Sequence, residues 1–398
     1  MTLRATRDQV RRGWGDRDGC AVVASPAMLT RLDDYPVHQT PEPLAHTASG
    51  SLNQYDRYFF NAYTDDGSLY FGCALGYYPN RRVMDAAFTV MRDGEITTVI
   101  ASRRAPIEPT ETTVGPIRVE IQEPMQRFRI NVGPNESGLE ADVCFSARTA
   151  AIEEPRYTLR SGAVPLFDYT RLTQWGDWSG SVSVDGEQLS ISPSEVRGCR
   201  DRSWGVRPVG QQPPGGGMDP QFFWLWAPLW FDDCCVHFDV NEYGDGRPWH
   251  FVGARIPLLD STEDAVPGAD SSVEWMSAVE HSITWRPGTR WSESADLRLL
   301  RHNGDPIEVH LEPLATFQMR GLGYLHPEWG HGNWHGDLEV HAERWRVAET
   351  NPLDPFYLHV QQLVRATWGE RTGVGVFEQL VLGAYEPYGF TGLFDGAP

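Results

Sequence analysis

Lysine is missing from this sequence: all 34 basic residues among its 398 are arginine. That excludes a Schiff-base lysine, a pyridoxal phosphate anchor and a P-loop lysine. Cysteine is scarce. Cys20, Cys73, Cys144, Cys199, Cys234 and Cys235 include no C-x-x-C pair, and the vicinal pair does not readily bridge itself, so neither a zinc finger nor a disulfide framework is supported. No apolar run reaches 18 residues, and the opening MTLRATRDQVRRGWGDRDG lacks the apolar stretch of a signal peptide. The expectation is a soluble, cytoplasmic protein without a membrane span. Positive charge is also short. The 54 acidic residues leave a net charge of −20, which repels phosphate backbones and anionic surfaces, so nucleic acid is not an expected partner. No G-x-S-x-G elbow, no H-E-x-x-H motif and no glycine-rich phosphate loop in a strand–turn–helix context occurs.

What fills the chain is strand and turn. DDGS, RDGE, VDGE, YGDGRP and HNGD punctuate runs such as IRVEI, RFRIN and IEVHLEP, in which every second residue is apolar. Helical spacing is rare, and NPLDPFYLHVQQLVRATWG is its best candidate. So many short strands predict an all-β protein with two β-domains and few short helices. The boundaries expected are a leader at 1–25, a first domain at 26–190, and a second at 191–398 ending in a helix and a strand. A weak echo between IRVEIQEPMQRFRIN…GLEADVCFSA and IEVHLEPLATFQM…GDLEVHAERW suggests duplication. VGQQPPGGGMD (209–219) reads as a flexible loop and LLDSTEDAVPGADSS (258–272) as a polar insertion.

Two runs hold residues that could carry chemistry. In RDRSWGVRP an extended backbone puts Asp201, Ser203 and Arg207 on one face and Arg200, Arg202 and Trp204 on the other. Asp201 is then either a buried acid or one half of an ion pair with an arginine, since burial raises a carboxyl pKa and a close guanidinium lowers it. The second run, GLGYLHPEWGHGNWHGDLEVHAE, holds His326, His331, His335 and His341 among Tyr324, Glu328, Trp329 and Trp334. If extended, it would align Trp329, His331, Asn333 and His335, a setting for proton transfer near neutral pH. His331 and His335 also have the i, i+4 spacing of two metal ligands, although Gly330, Gly332 and Gly336 argue against the helix this needs. His237 and His310, inside strand patterns, read as satisfied barrel residues. FFWLWAPLWF (222–231) reads as a strand buried on both faces or as a pocket wall.

GCRDRSWGVRP together with GYLHPEWGHGNWHG resembles the lipocalin-type superfamily of AttH and the carotenoid 1,2-hydratases, in its branch with two tandem β-domains. LGYYPNRRVMDAAFTVMRDG and LTQWGDWSGSVSVDG also look like that branch, and the likeness runs over about residues 50 to 345. The resemblance implies two lipocalin-like barrels or sandwiches. It also implies a proton-donor role for Asp201 toward an isoprenoid double bond, with Trp204 stabilising the cation. The extra arginines depart from the hydratases and suit a substrate carboxylate or oxygen instead.

The expected function is cofactor-free acid/base chemistry on a hydrophobic terpenoid- or steroid-like molecule: hydration or dehydration, isomerisation or cyclisation, the work of a lyase or isomerase. Asp201 would be the acid and His331 or His335 the partner base. Arg207 and Ser203 would hold polar atoms, and Trp204, Tyr324, Trp329 and Trp334 would form the walls. The alternatives are a non-catalytic binding protein for a hydrophobic ligand and a metal-dependent enzyme using His331 and His335. Oligomeric state is left open, a homodimer being one option.

Overall fold

The computed structural model describes residue 32, residues 35–209 and residues 220–398. The leader at 1–25 and all of the 209–219 loop except Val209 lie outside the described residues. Within them, alternating strand patterns and glycine turns give an almost wholly β protein, whose helical pieces are single 3-10 turns such as Pro79–Arg81 and Met319–Leu322. No helix among the described residues is long and apolar enough to cross a membrane.

Two barrel-like sheets form in tandem, as expected. The first has 14 strands. Its middle runs Glu95–Arg104, Val83–Arg92, Leu69–Tyr78, Gln54–Thr64, Val196–Val206, Val164–Val184 and Leu139–Ala147. RDGE makes a hairpin turn, with Asp93 at φ 52° and Gly94 at φ 72°, the left-handed conformations a tight antiparallel turn requires. The sheet curls until its ends meet: a Cβ on Gly115 would lie 3.1 Å from Val340 and 3.3 Å from Ala101. Phe60, Phe71, Phe128, Phe145 and Trp178 fill its interior. The second sheet is a closed barrel of strands from Phe222–Trp230 to Arg371–Leu382. FFWLWAPLWF shows how alternation builds it: Phe223, Leu225, Ala227 and Leu229 point inward, leaving Phe222, Trp224, Trp226 and Trp230 on the outer face.

The outer faces of the two sheets pack on each other. Phe59, Tyr63 and Trp175 of the first meet Trp226, Trp230 and Phe317 of the second in a continuous buried cluster. Tyr70 stacks on Phe317 at 4.1 Å. Each aromatic buried here stabilises by about 1.5–3 kcal/mol, so the joint is a third core. Asn61 and Tyr70 both donate to Gln361 Oε1 across it, at 3.2 and 2.8 Å.

Three expectations fail. The C-terminal helix is absent: its residues form turns up to Ser-free NPLDPFY and then the strand Val360–Trp368. That strand is paired on both sides, with Ile307–Gln318 and Arg371–Leu382, and this long-range pairing overrides a weak local helical pattern. The boundary at 190/191 falls between two strands of the first sheet, Glu187–Ile191 and Val196–Val206. The strand Leu338–Arg346, moreover, leaves the second half of the chain to pair with Glu95–Arg104 of the first sheet. The internal echo has no structural counterpart either. Its first copy is the hairpin of Ile117–Glu123 and Arg127–Val132, whereas the second is one continuous strand, Ile307–Gln318.

Candidate active site

A cavity of about 390 Å³ opens at the joint. Val164–Val184 and Val196–Val206 supply one wall, and the outer face of the closed barrel supplies the other, through Phe222, Trp224 and Leu380. The segment Gly323–Asn333 closes one side.

Asp201 lies in this cavity. Its backbone is held between Phe59 and Thr173 of the neighbouring strands, so pleating leaves its side chain only two directions. It takes the cavity side with Ser203 and Arg207, as alternation predicts. Arg200 and Arg202 point away. Arg200 donates to Gln174 Oε1 at 2.8 Å and covers the Phe128 ring. Arg202 pairs with Asp56 and covers the Tyr58 ring at 4.1 Å. Among the described residues Asp201 forms no ion pair. Burial pushes its carboxyl up to about 7; Arg171 pulls it down, Glu154 pushes it up, and Arg207 and Arg57 pull it down by less. The ion-pair alternative thus finds no partner for Asp201 among the described residues. An ion-pair knot does exist one strand away, where Arg171 binds Glu154 at 2.6 Å and also pairs with Asp239. Tyr157, His237, Thr173 and Trp224 complete that network.

His331 also lines the cavity, but as a neutral spacer rather than a free base. Its Nε2 donates to the Leu322 carbonyl at 3.0 Å, and this leaves Nδ1 to accept from Arg207 Nη2 at 3.4 Å. Burial, reinforced by Arg57 and Arg207, pushes the imidazole well below its ordinary range.

A second imidazole at the cavity belongs to a residue absent from the sequence-based set. His359 lines the cavity just before the strand that replaces the expected helix. Its Nε2 lies 2.6 Å from Glu378 Oε1, and the second oxygen of Glu378 accepts from Gln361 at 2.6 Å. Both residues are almost fully buried, at 2% and 3% exposure. His359 Nδ1 is buried and has no hydrogen-bond partner. With Nε2–H donated to the carboxylate, Nδ1 carries the lone pair. Tyr324 packs edge-on against both imidazoles, 4.4 Å from His331 and 5.0 Å from His359 between ring centres.

Asp201, Ser203, Arg207, Tyr324 and His331 are thus brought together, and four expected residues are not. Trp204 is 41% exposed on the far face of its strand. Trp334 is 48% exposed and covers Arg104. Trp329 and His335 stack on each other at 3.8 Å outside the cavity. The cause is local. Positive φ at Leu325, Gly332 and Gly336 makes the segment a series of turns, so the i, i+2 alternation of a strand does not apply.

The metal alternative also needs correction. Among the described residues, the His and acid groups close enough to share an ion are His326–His341–Glu343 and Glu154–Asp239–His250, and neither includes His331 or His335. In the first, His326 Nδ1 accepts from the Glu328 and Trp329 N–H groups. Its Nε2 therefore carries the proton it gives to Glu343, which Arg320 already neutralises. In the second, Arg171 takes the place of a cation.

No curated protein sequence matches the chain. Its fold is shared with two crystal structures. One is of an AttH assignment from Nitrosomonas europaea (TM-score 0.51, 14% identity, covering 87% of this chain and 98% of that one). The other is kievitone hydratase from Nectria haematococca (TM-score 0.50, 11% identity, covering 89% of this chain and 95% of that one). At these identities the likeness is one of fold, and it makes the architecture the lipocalin-like one expected. A family profile covers nearly the whole chain, residues 29–391, and by that match the protein belongs to the Family of unknown function (DUF8625).

Proposed function

We propose that the cavity is the active site of an acid/base enzyme that adds water to, or removes it from, a hydrophobic small molecule of terpenoid or steroid type. One observation carries this reading. A carboxyl free of ion pairs among the described residues and pushed up to about 7 lines the same aromatic-walled cavity as His359, whose Nδ1 is buried without a partner and whose Nε2 is held by a carboxylate. An acid and a base with separate environments are what proton transfer in both directions needs. In hydration, the Asp201 O–H proton would pass to one alkene carbon. Water oxygen would bond to the other, and the proton released from that water would go to His359 Nδ1. Trp224 and Phe222 lend apolar surface, and the Trp224 π face favours a developing cation. Kievitone hydratase, of the same fold, is a hydratase by name.

The test starts with native mass spectrometry of the purified protein to identify any retained hydrophobe. That compound and a panel of isoprenoid alkenes are then incubated with the protein in H₂¹⁸O. Incorporation of ¹⁸O by the wild type, lost in Asp201→Asn with folding intact, supports the reading. A retained ligand that stays unchanged, with no exchange on any panel member, points to a non-catalytic carrier and overturns it.

A further inference from the structure

We infer that the ligand of this cavity carries one anionic oxygen group, a carboxylate or an acidic enol or phenol oxygen, which sits on Arg207. The argument is the local pairing of each guanidinium at the joint. Arg171 is matched by Glu154 and Asp239. Arg57 has Asp85 at 3.9 Å and donates to Tyr78 and to the Leu322 carbonyl. Arg207 has no carboxylate partner among the described residues. The hydrogen-bond partner of its guanidinium is the neutral His331 ring, and its flat faces meet Tyr55 at 4.5 Å and Tyr324 at 5.9 Å. A guanidinium has five N–H donors. Its side-chain hydrogen bond among the described residues is to His331, so the other N–H groups are open to a ligand at the cavity. Asp201, on the same strand face, forms no ion pair among the described residues. A ligand oxyanion is the partner this guanidinium fits, because a guanidinium flanked by rings suits a flat oxyanion attached to an apolar body.

The consequence reaches the acid, and here the inference rests on the proposed role of Asp201. The charged groups facing Asp201 are Arg171, Glu154, Arg207 and Arg57, and Arg171 is itself paired with Glu154 and Asp239. Arg207 pulls the Asp201 proton away. An anion seated on Arg207 removes that pull, so a bound substrate keeps its own proton donor loaded. By reciprocity, anion affinity falls as pH rises through the Asp201 titration near 7.

Two fluorescent probes with one frame test this: 8-anilinonaphthalene-1-sulfonate and uncharged N-phenyl-1-naphthylamine. The anion should bind the wild type at least tenfold more tightly and displace the neutral probe competitively. Arg207→Gln should abolish the preference while neutral-probe affinity stays within twofold, and Arg207→Lys should keep part of it. Between pH 6 and 8 anion affinity should fall, by at most about tenfold per pH unit, and Asp201→Asn should flatten that profile. If Arg207→Gln proves poorly folded by its melting curve, the Asp201→Asn profile decides. Equal affinities for the two probes, or a preference that survives Arg207→Gln, would overturn the inference. Loss of turnover in Asp201→Asn without any anion preference sinks this inference alone. Anion preference alongside full turnover in that variant supports it and sinks the acid role instead.

Discussion

Asparagine in place of Asp201 should make the protein more stable at pH 8. The carboxyl ordinarily titrates at 3.8 and is pushed up to about 7 in the folded state. An acid whose folded pKa is raised does not stabilise the fold. Folding costs nothing extra below 3.8, where both states hold the proton, and the penalty grows as pH rises to about 7, beyond which it is constant. Roughly three pH units at 1.36 kcal/mol each give a penalty of about 4 kcal/mol. Water entering the cavity would reduce this, so about 2–4 kcal/mol is expected. Asparagine keeps the shape and removes the charge. Thermal unfolding followed at pH 5, 6.5 and 8 should show the variant melting a few degrees above wild type at pH 8, with the gap shrinking by more than half at pH 5. An Asp201 engaged with an arginine would give the reverse: a variant that melts lower, most clearly at neutral and alkaline pH. That result would refute both the burial argument and the acid role built on it.

Other perturbations separate the remaining claims. His359→Asn should lower turnover by about 10²–10⁴-fold, and Glu378→Gln should lower kcat with little change in KM; steady-state kinetics on the ¹⁸O substrate checks both. Arg171→Met should cost about 3–5 kcal/mol in urea unfolding, because Glu154 and Asp239 would be left buried without their cation. Gly198→Ala should fail to accumulate as folded protein at 37 °C, since its new Cβ would sit 2.0 Å from the Asn61 carbonyl oxygen; soluble yield and circular dichroism report this. Trp204→Ala and Trp334→Ala, at exposed positions, should leave turnover within about twofold of wild type, because surface changes away from the site carry little energy.

Much of the site was legible in the order of residues, and the limit of legibility is physical. Asp201, Ser203 and Arg207 fall on one side of a strand because pleating repeats every two residues, and no tertiary contact can alter that period. Tyr324 and His331 were nominated for their residue types and were found in place. Trp329 and His335 were nominated by the same alternation, and Trp334 as an aromatic wall, in a segment that turns at Gly332 and Gly336, where alternation has no force. His359 was hidden inside an apparent helix. Its significance depends on Glu378, which only the pairing of Val360–Trp368 with Arg371–Leu382 brings beside it.

The sequence by itself determined the all-β character, the tandem pair of sheets and the face to which the acid belongs, since these follow from local periodicity, turn chemistry and strand count. Tertiary structure decided that Asp201 has no ion-pair partner among the described residues, that His359 lines the cavity beside Glu378, and that Leu338–Arg346 returns to complete the first sheet. Burial and partner choice are set by the packing of segments far apart along the chain. A guanidinium is the same in every sequence, and only its surroundings make one arginine a structural ion and another a seat for a ligand.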